Sequence, residues 1–194
     1  MAILDDLKST GKNSLSWFKN NVNKLLNNRN LRSIKRSDLM RDSDYLTNNL
    51  EMGKMYLFKY DPKYKRTLPY YDTYPLIIPI EKYNNGFLGL NLHYLPPKLR
   101  LALLEKLLEL KNTKKMTERT KIRATYALLS SSVKYKFMKP TIKRYLNTHI
   151  RSSFVRINPD DWKIAIFLPY EGFKKASKET VWKDSTRMVR WVLV

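Results

Sequence analysis

At 194 residues, with 43 % hydrophobic and 12 % aromatic content, the chain is long enough to bury one core and too apolar for global disorder. Its 38 lysines and arginines against 17 acids leave a formal charge of +21, far more than solubility needs. The self-repulsion this costs points to a polyanionic partner: nucleic acid first, DNA or RNA, then an acidic protein surface or anionic lipid. The lack of cysteine excludes disulfides, thiolate metal sites and cysteine nucleophiles, and His93 and His149 are too few for a histidine-rich metal site, so no metal or cofactor is expected.

Residues 1–52 read as helix. Ile3, Leu4 and Leu7 recur at helical spacing, as do Leu15, Trp17, Phe18, Val22, Leu25 and Leu26, with Gly11 between the two sets. Two readings stand: a docking arm whose apolar stripe seats on a partner, or a helix packed on its own core. The opening MAILDDLKSTGK carries acid where a signal peptide is basic, so no signal peptide is expected. The apolar runs are too short to span a bilayer, which suggests a protein of the cytoplasm or of a particle assembled there.

Residues 53–97 hold eight of the thirteen tyrosines and six of the nine prolines. Tyr56, Phe58 and Tyr60 alternate with Met55 and Leu57, the period of a strand over residues 54–60. Asp61-Pro62 is a turn signal, and Lys63, Tyr64, Lys65 and Arg66 follow on an exposed loop. A second strand is expected over residues 74–80; Pro75 and Pro79 cannot donate to a ladder, so it should be an edge strand or bulged. Asn84-Asn85-Gly86 reads as a hairpin turn and residues 87–94 as a third strand.

Pro97 suits the first turn of a helix with a leucine face, Leu99 to Leu110. A second helix is expected over residues 118–131 and a short third one from Pro140, over PTIKRYLNTHI. Strands are expected to return at residues 154–157 and 162–168, with Asn158-Pro159-Asp160-Asp161 as the turn between them. Residues 178–194 read as a final helix, with an added strand as the alternative for their end. The sum is an α+β protein. It comprises an N-terminal helical arm and linker (1–52) and one domain (53–194) with a helical insertion at about 97–148. The domain is built on a small antiparallel β-barrel of SH3-like or OB-like type, or on an open sheet backed by helices.

Charge is concentrated downstream. Residues 97–150 carry 14 basic and 3 acidic side chains, and from Arg119 through Pro159 there is no acid against ten cations. Those cations, Arg119, Lys121, Arg123, Lys134, Lys136, Lys139, Lys143, Arg144, Arg151 and Arg156, are interleaved with Tyr135, Phe137 and Tyr145. As a cluster they suit phosphate contact, while any one ring taken alone is expected to pack inward. Within residues 53–97 only Lys63, Lys65 and Arg66 are candidate contacts; the rest is scaffold. No recognition helix, phosphate-binding loop or nucleophile elbow is present. Pro159-Asp160-Asp161 followed by Lys163 faintly matches a PD-(D/E)xK nuclease pattern but lacks the separated second acid, and His93, beside tyrosines, is expected to be buried or stacked, not catalytic.

The runs MYLFKYDPKYKRTLPYYDTYPLIIPI and GFLGLNLHYLPPKLRLALL resemble a family of small virion proteins of T-even-like contractile-tailed bacteriophages, the DNA end protectors. KYKFMKPTIKRYL, RSSFVRI and WKIAIFLPYEGFKKAS followed by VWKDSTR continue the likeness over about residues 53–187, with the N-terminal helix outside it. The resemblance implies a non-enzymatic head-completion protein that binds the terminus of double-stranded DNA. Such a protein travels in the virion after assembly in the host cytoplasm and shields the end from exonuclease. In the docking-arm reading of the N-terminal helix, that helix would meet other virion proteins; no membrane partner is expected. A neck, baseplate or tail structural protein is the alternative, and a nuclease the third.

Overall fold

A computed structural model describes residues 45–111 and 138–190. In chain order these form β1 (Leu46–Thr47), β2 (Met55–Leu57), β3 (Tyr71–Asp72), β4 (Leu76–Tyr83), β5 (Gly86–Asn91), α1 (Pro97–Lys111), β6 (Ile142–Leu146), β7 (Phe154–Ile157), α2 (Trp162–Ala165), β8 (Phe173–Lys174) and α3 (Lys178–Arg190). Six strands make one antiparallel sheet in the order β1-β7-β2-β4-β5-β6, and β3 and β8 make a second, two-stranded one. The α+β expectation holds, but β1 and β6 are opposite edges of the large sheet and do not pair. It is therefore open, and the SH3-like or OB-like barrel gives way to the open sheet, since closure needs the outer strands to join. The predicted N-terminal helix, up to residue 44, and the helix over 118–131 lie outside the described residues. Leu46 and Thr47, within the segment read as helical, are strand, paired with Val155 and Phe154.

β4 is central, between β2 and β5, with its first five residues buried from both faces. It tolerates its proline through a bulge: the register with β5 shifts between Pro79 and Glu81, as the missing N–H requires. The hairpin at Asn84-Asn85 is as expected. Gly86 is obligatory there, because a Cβ on it would lie 1.9 Å from the Tyr145 carbonyl oxygen. The third strand stops at Asn91, short of residue 94. The Asn91 side chain accepts the His93 N–H at 3.0 Å and turns Leu92–Tyr94 into a 3-10 turn.

Two segments depart from the expected state. Residues 142–146 are not helix but the edge strand β6, with Phe87 opposite Tyr145 and Gly89 opposite Lys143. Pairing along β5 buries Tyr145, which outweighs the weak helical signal of this segment. Residues 162–168 are not strand. Pro159 opens a 3-10 turn that runs into α2, and the Trp162 indole N–H donates to the Ile157 carbonyl at 3.0 Å, folding the chain off the sheet. α3 begins as expected at Lys178, with the Ser177 hydroxyl accepting the Thr180 N–H.

One face of the sheet is an aromatic core. Phe58 is fully buried and meets Tyr60, Phe87, Tyr145 and Phe154 edge-on, the closest at 5.0 Å. Tyr56 and Tyr60 are in the same cluster, and their hydroxyls accept the Glu51 and Leu146 N–H groups at 3.0 Å. The buried cation Arg100, from α1, donates to the carbonyls of Leu95 and Ile166 at 2.7 and 2.9 Å.

The two sheets meet at Asp72, a fully buried carboxylate. One oxygen accepts the backbone N–H groups of Tyr74 and Gly172, both at 2.9 Å. The other accepts His93 Nδ1–H at 2.8 Å and the Asn91 amide at 3.2 Å. Burial by itself pushes this carboxyl up; the His93 charge and the hydrogen bonds outweigh it and hold it below the ordinary value of 3.8. The stability it contributes is therefore present above that value and lost as pH falls through its lowered folded value. Asp72→Asn, which turns an acceptor into a donor facing donors, should cost about 3 kcal/mol in urea melts at neutral pH. The deficit should shrink below pH 3.8.

Candidate nucleic-acid interface

The exposed loop after β2 is closed at its base, where Tyr60 N–H donates to the Thr73 carbonyl at 3.0 Å. Inside it, the Tyr64 carbonyl accepts Thr67 N–H and Leu68 N–H, each at 3.0 Å, and the Thr67 hydroxyl at 3.2 Å. Lys175 Nζ reaches across from the end of β8 to the carbonyls of Arg66 and Leu68 at 2.7 and 2.9 Å. Lys63, Tyr64, Lys65 and Arg66 are all exposed, as their hydrophilic company suggests.

Asp61, at the foot of the loop, gathers cations. Lys65 Nζ donates to both its oxygens at 2.8 and 3.0 Å, and Arg151 Nη2 approaches at 4.0 Å. The Lys65 hydrogen bond, joined by the charges of Lys65 and Arg151, holds the Asp61 carboxyl below the usual range. Asp61 N–H donates to the His149 carbonyl at 3.0 Å, and Arg151 Nη1 donates to the Thr148 carbonyl at 2.9 Å. The adjoining Asn147 N–H donates to Asn85 O at the hairpin tip, where Arg144 donates to the Asn85 side chain and lies 4.1 Å from the Tyr83 ring centroid. A continuous series of contacts thus joins Arg144, Arg151 and the Lys63, Lys65 and Arg66 loop, from parts of the chain some 80 residues apart.

Of the other sequence-predicted cations among the described residues, Lys143 and Arg156 lie apart from this group. Lys139 is exposed at the turn before β6. Lys143 points to the opposite face of β6 from Arg144 and is half-buried, with its Nζ 4.0 Å from the Tyr94 ring centroid. Arg156 sits on β7, paired with Glu51 at 3.5 Å, and β2, β4 and β5 separate it from β6 by roughly 19 Å of sheet. Arg119, Lys121, Arg123, Lys134 and Lys136 lie outside the described residues. Of the interleaved rings, Tyr145 packs inward as expected for a single ring. Lys175 escaped the sequence reading: it belongs to no basic run, and its left-handed backbone (φ 68°) gives no sequence signal in a lysine.

Asp160 and Asp161 lie on the 3-10 turn Pro159–Asp161, and among the described residues no three His, Asp or Glu side chains come together as a metal site. His93 is fully buried, as expected. No helix among the described residues is long and apolar enough to cross a membrane.

A family model described as Phage T4 terminal DNA protecting protein matches residues 3–185. The chain belongs to this family. No curated protein and no solved structure matches it. The resemblance read from the central aromatic and proline-rich runs is therefore correct, and it extends further than those runs, because the end-protecting family takes in the N-terminal segment from residue 3.

Burial lowers the Lys143 ammonium pKa to about 8 from the ordinary 10.5. Between those values the unfolded chain binds the proton more tightly, so stability rises with pH. Relative to Lys143→Met, the wild type should gain stability from pH 8 to 10.5 in urea melts at stepped pH, and parallel curves would exclude the shift.

Proposed function

We propose that this end-protecting protein binds the terminus of double-stranded DNA without cleaving it. In this reading Lys63, Lys65, Arg66, Arg144 and Arg151 take backbone phosphates, and the protein shields the end from exonuclease. The observation that carries this is the Asp61-centred junction, which draws cations from separate parts of a +21 chain onto one surface. Lys139 and the acid-free run's Arg119, Lys121, Arg123, Lys134 and Lys136 are further candidates for phosphate contact by their charge. Lys143 and Arg156 serve packing and the sheet. The protein acts in head completion and is carried in the virion after assembly in the host cytoplasm, with the segment before β1 meeting other virion proteins.

Phosphate binding of this kind is read by salt. Removing one phosphate-binding cation should lower the slope of log affinity against log salt by about 0.9. Arg144→Ala and Arg151→Ala should each weaken binding to linear duplex about five- to ten-fold near 0.1 M salt, without sequence preference. Linear DNA should survive exonuclease when the protein is bound. Equal digestion with and without protein, or salt-independent binding, would refute the proposal and favour a purely structural role in the neck, baseplate or tail.

A further inference from the structure

Tyr64 is 63 % exposed, against 40 % for Tyr45 and 39 % for Tyr83, the other exposed large hydrophobics among the described residues. It stands between Lys63 on one side and Lys65 and Arg66 on the other, with Lys63 Nζ 5.4 Å from its ring centroid. Its backbone is held firmly. Three donors converge on its carbonyl, Lys175 grips the far side of the loop, and the Tyr60–Thr73 hydrogen bond closes the base. A ring presented from a fastened backbone loses little freedom on binding, which favours contact over a merely solvated tip.

The chemistry of the target decides what such a ring can touch. Cations meet phosphates equally well anywhere along a duplex, so they cannot tell an end from the interior. Interior base pairs have both π-faces covered by their neighbours, whereas the terminal pair leaves one bare. A tyrosine ring among phosphate-binding cations has a stacking partner only there.

We propose that Tyr64 caps the terminal base pair by stacking, with Lys63 and Arg66 on the adjoining phosphates, so that this loop distinguishes a DNA end from continuous duplex. The inference rests on the DNA-binding reading above and adds the group that reads the end. Stacking on one base face corresponds to about a ten-fold gain in affinity.

The test compares the full-length protein on a blunt linear duplex and on the same duplex closed by hairpin loops at both ends, each with 2-aminopurine at the terminal or a central pair. Wild type should prefer the blunt duplex about ten-fold and change only the terminal 2-aminopurine fluorescence. Tyr64→Ala should bring that ratio near one and abolish the terminal signal, leaving affinity for the closed duplex, its salt slope and the melting temperature unchanged. Tyr64→Trp should keep the preference. Lys63→Gln and Arg66→Gln should weaken both duplexes alike. A blunt-end preference that survives Tyr64→Ala, with the terminal signal intact, overturns this inference but leaves the DNA-end reading standing. Failure of the wild type to bind either duplex, or to prefer the blunt one, overturns the reading beneath it.

Discussion

The buried carboxylate of Asp72 is the constraint on which the rest of this structure depends. An unpaired charge in that position would be prohibitively costly, so its four donors must all be in place at once. Those donors come from β5, from the turn beyond it, from the start of the approach to β4 and from Gly172, one hundred residues further on. The carboxylate therefore registers β8 against β3, and that register carries Lys175 to the carbonyls of the exposed loop. A group with no access to solvent thus helps set the shape of an exposed cationic loop.

The aromatic content divides along a clear physical line. Tyr56, Tyr60 and Tyr145 are core residues, and hydrogen bonds to the hydroxyls of Tyr56 and Tyr60 offset their burial. Burial accordingly raises the pKa of all three phenols. Tyr64 is the most exposed tyrosine among the described residues: its neighbours in sequence are cations that need water, so its ring stays outside.

Much of this was legible from residues alone. The strand at Met55–Leu57, the Asn84-Asn85 hairpin, the start of α1 at Pro97 and the start of α3 all follow from local signals. Those signals are alternation, turn chemistry, proline geometry and helical spacing. The exposed loop carrying Lys63, Lys65 and Arg66 was legible for the same reason. Residues 142–146 were not. Their local preference is weak, and they become strand only because β5 offers an edge whose partner face buries Tyr145. Residues 162–168 failed in the opposite sense, since an apolar run reads equally as strand or buried helix until Pro159 and the Trp162–Ile157 hydrogen bond bend it away. Asp72 carried no signal beyond its place in a turn-rich stretch, because its donors are distant in sequence.

By itself, the sequence determined the charge, the aromatic and proline-rich scaffold and the family, because these depend on composition and on runs of neighbouring residues. Only the tertiary structure decided which cations share a surface. Lys143 and Arg144 are adjacent in the chain, yet once residues 142–146 are strand they point to opposite faces, one over Tyr94 and one over Tyr83. Lys65 and Arg151, far apart in the chain, meet at Asp61 because the Tyr60–Ile150 bridge brings their backbones together. Charge is additive along a sequence, but a surface is made by pairing, and pairing is a property of the fold.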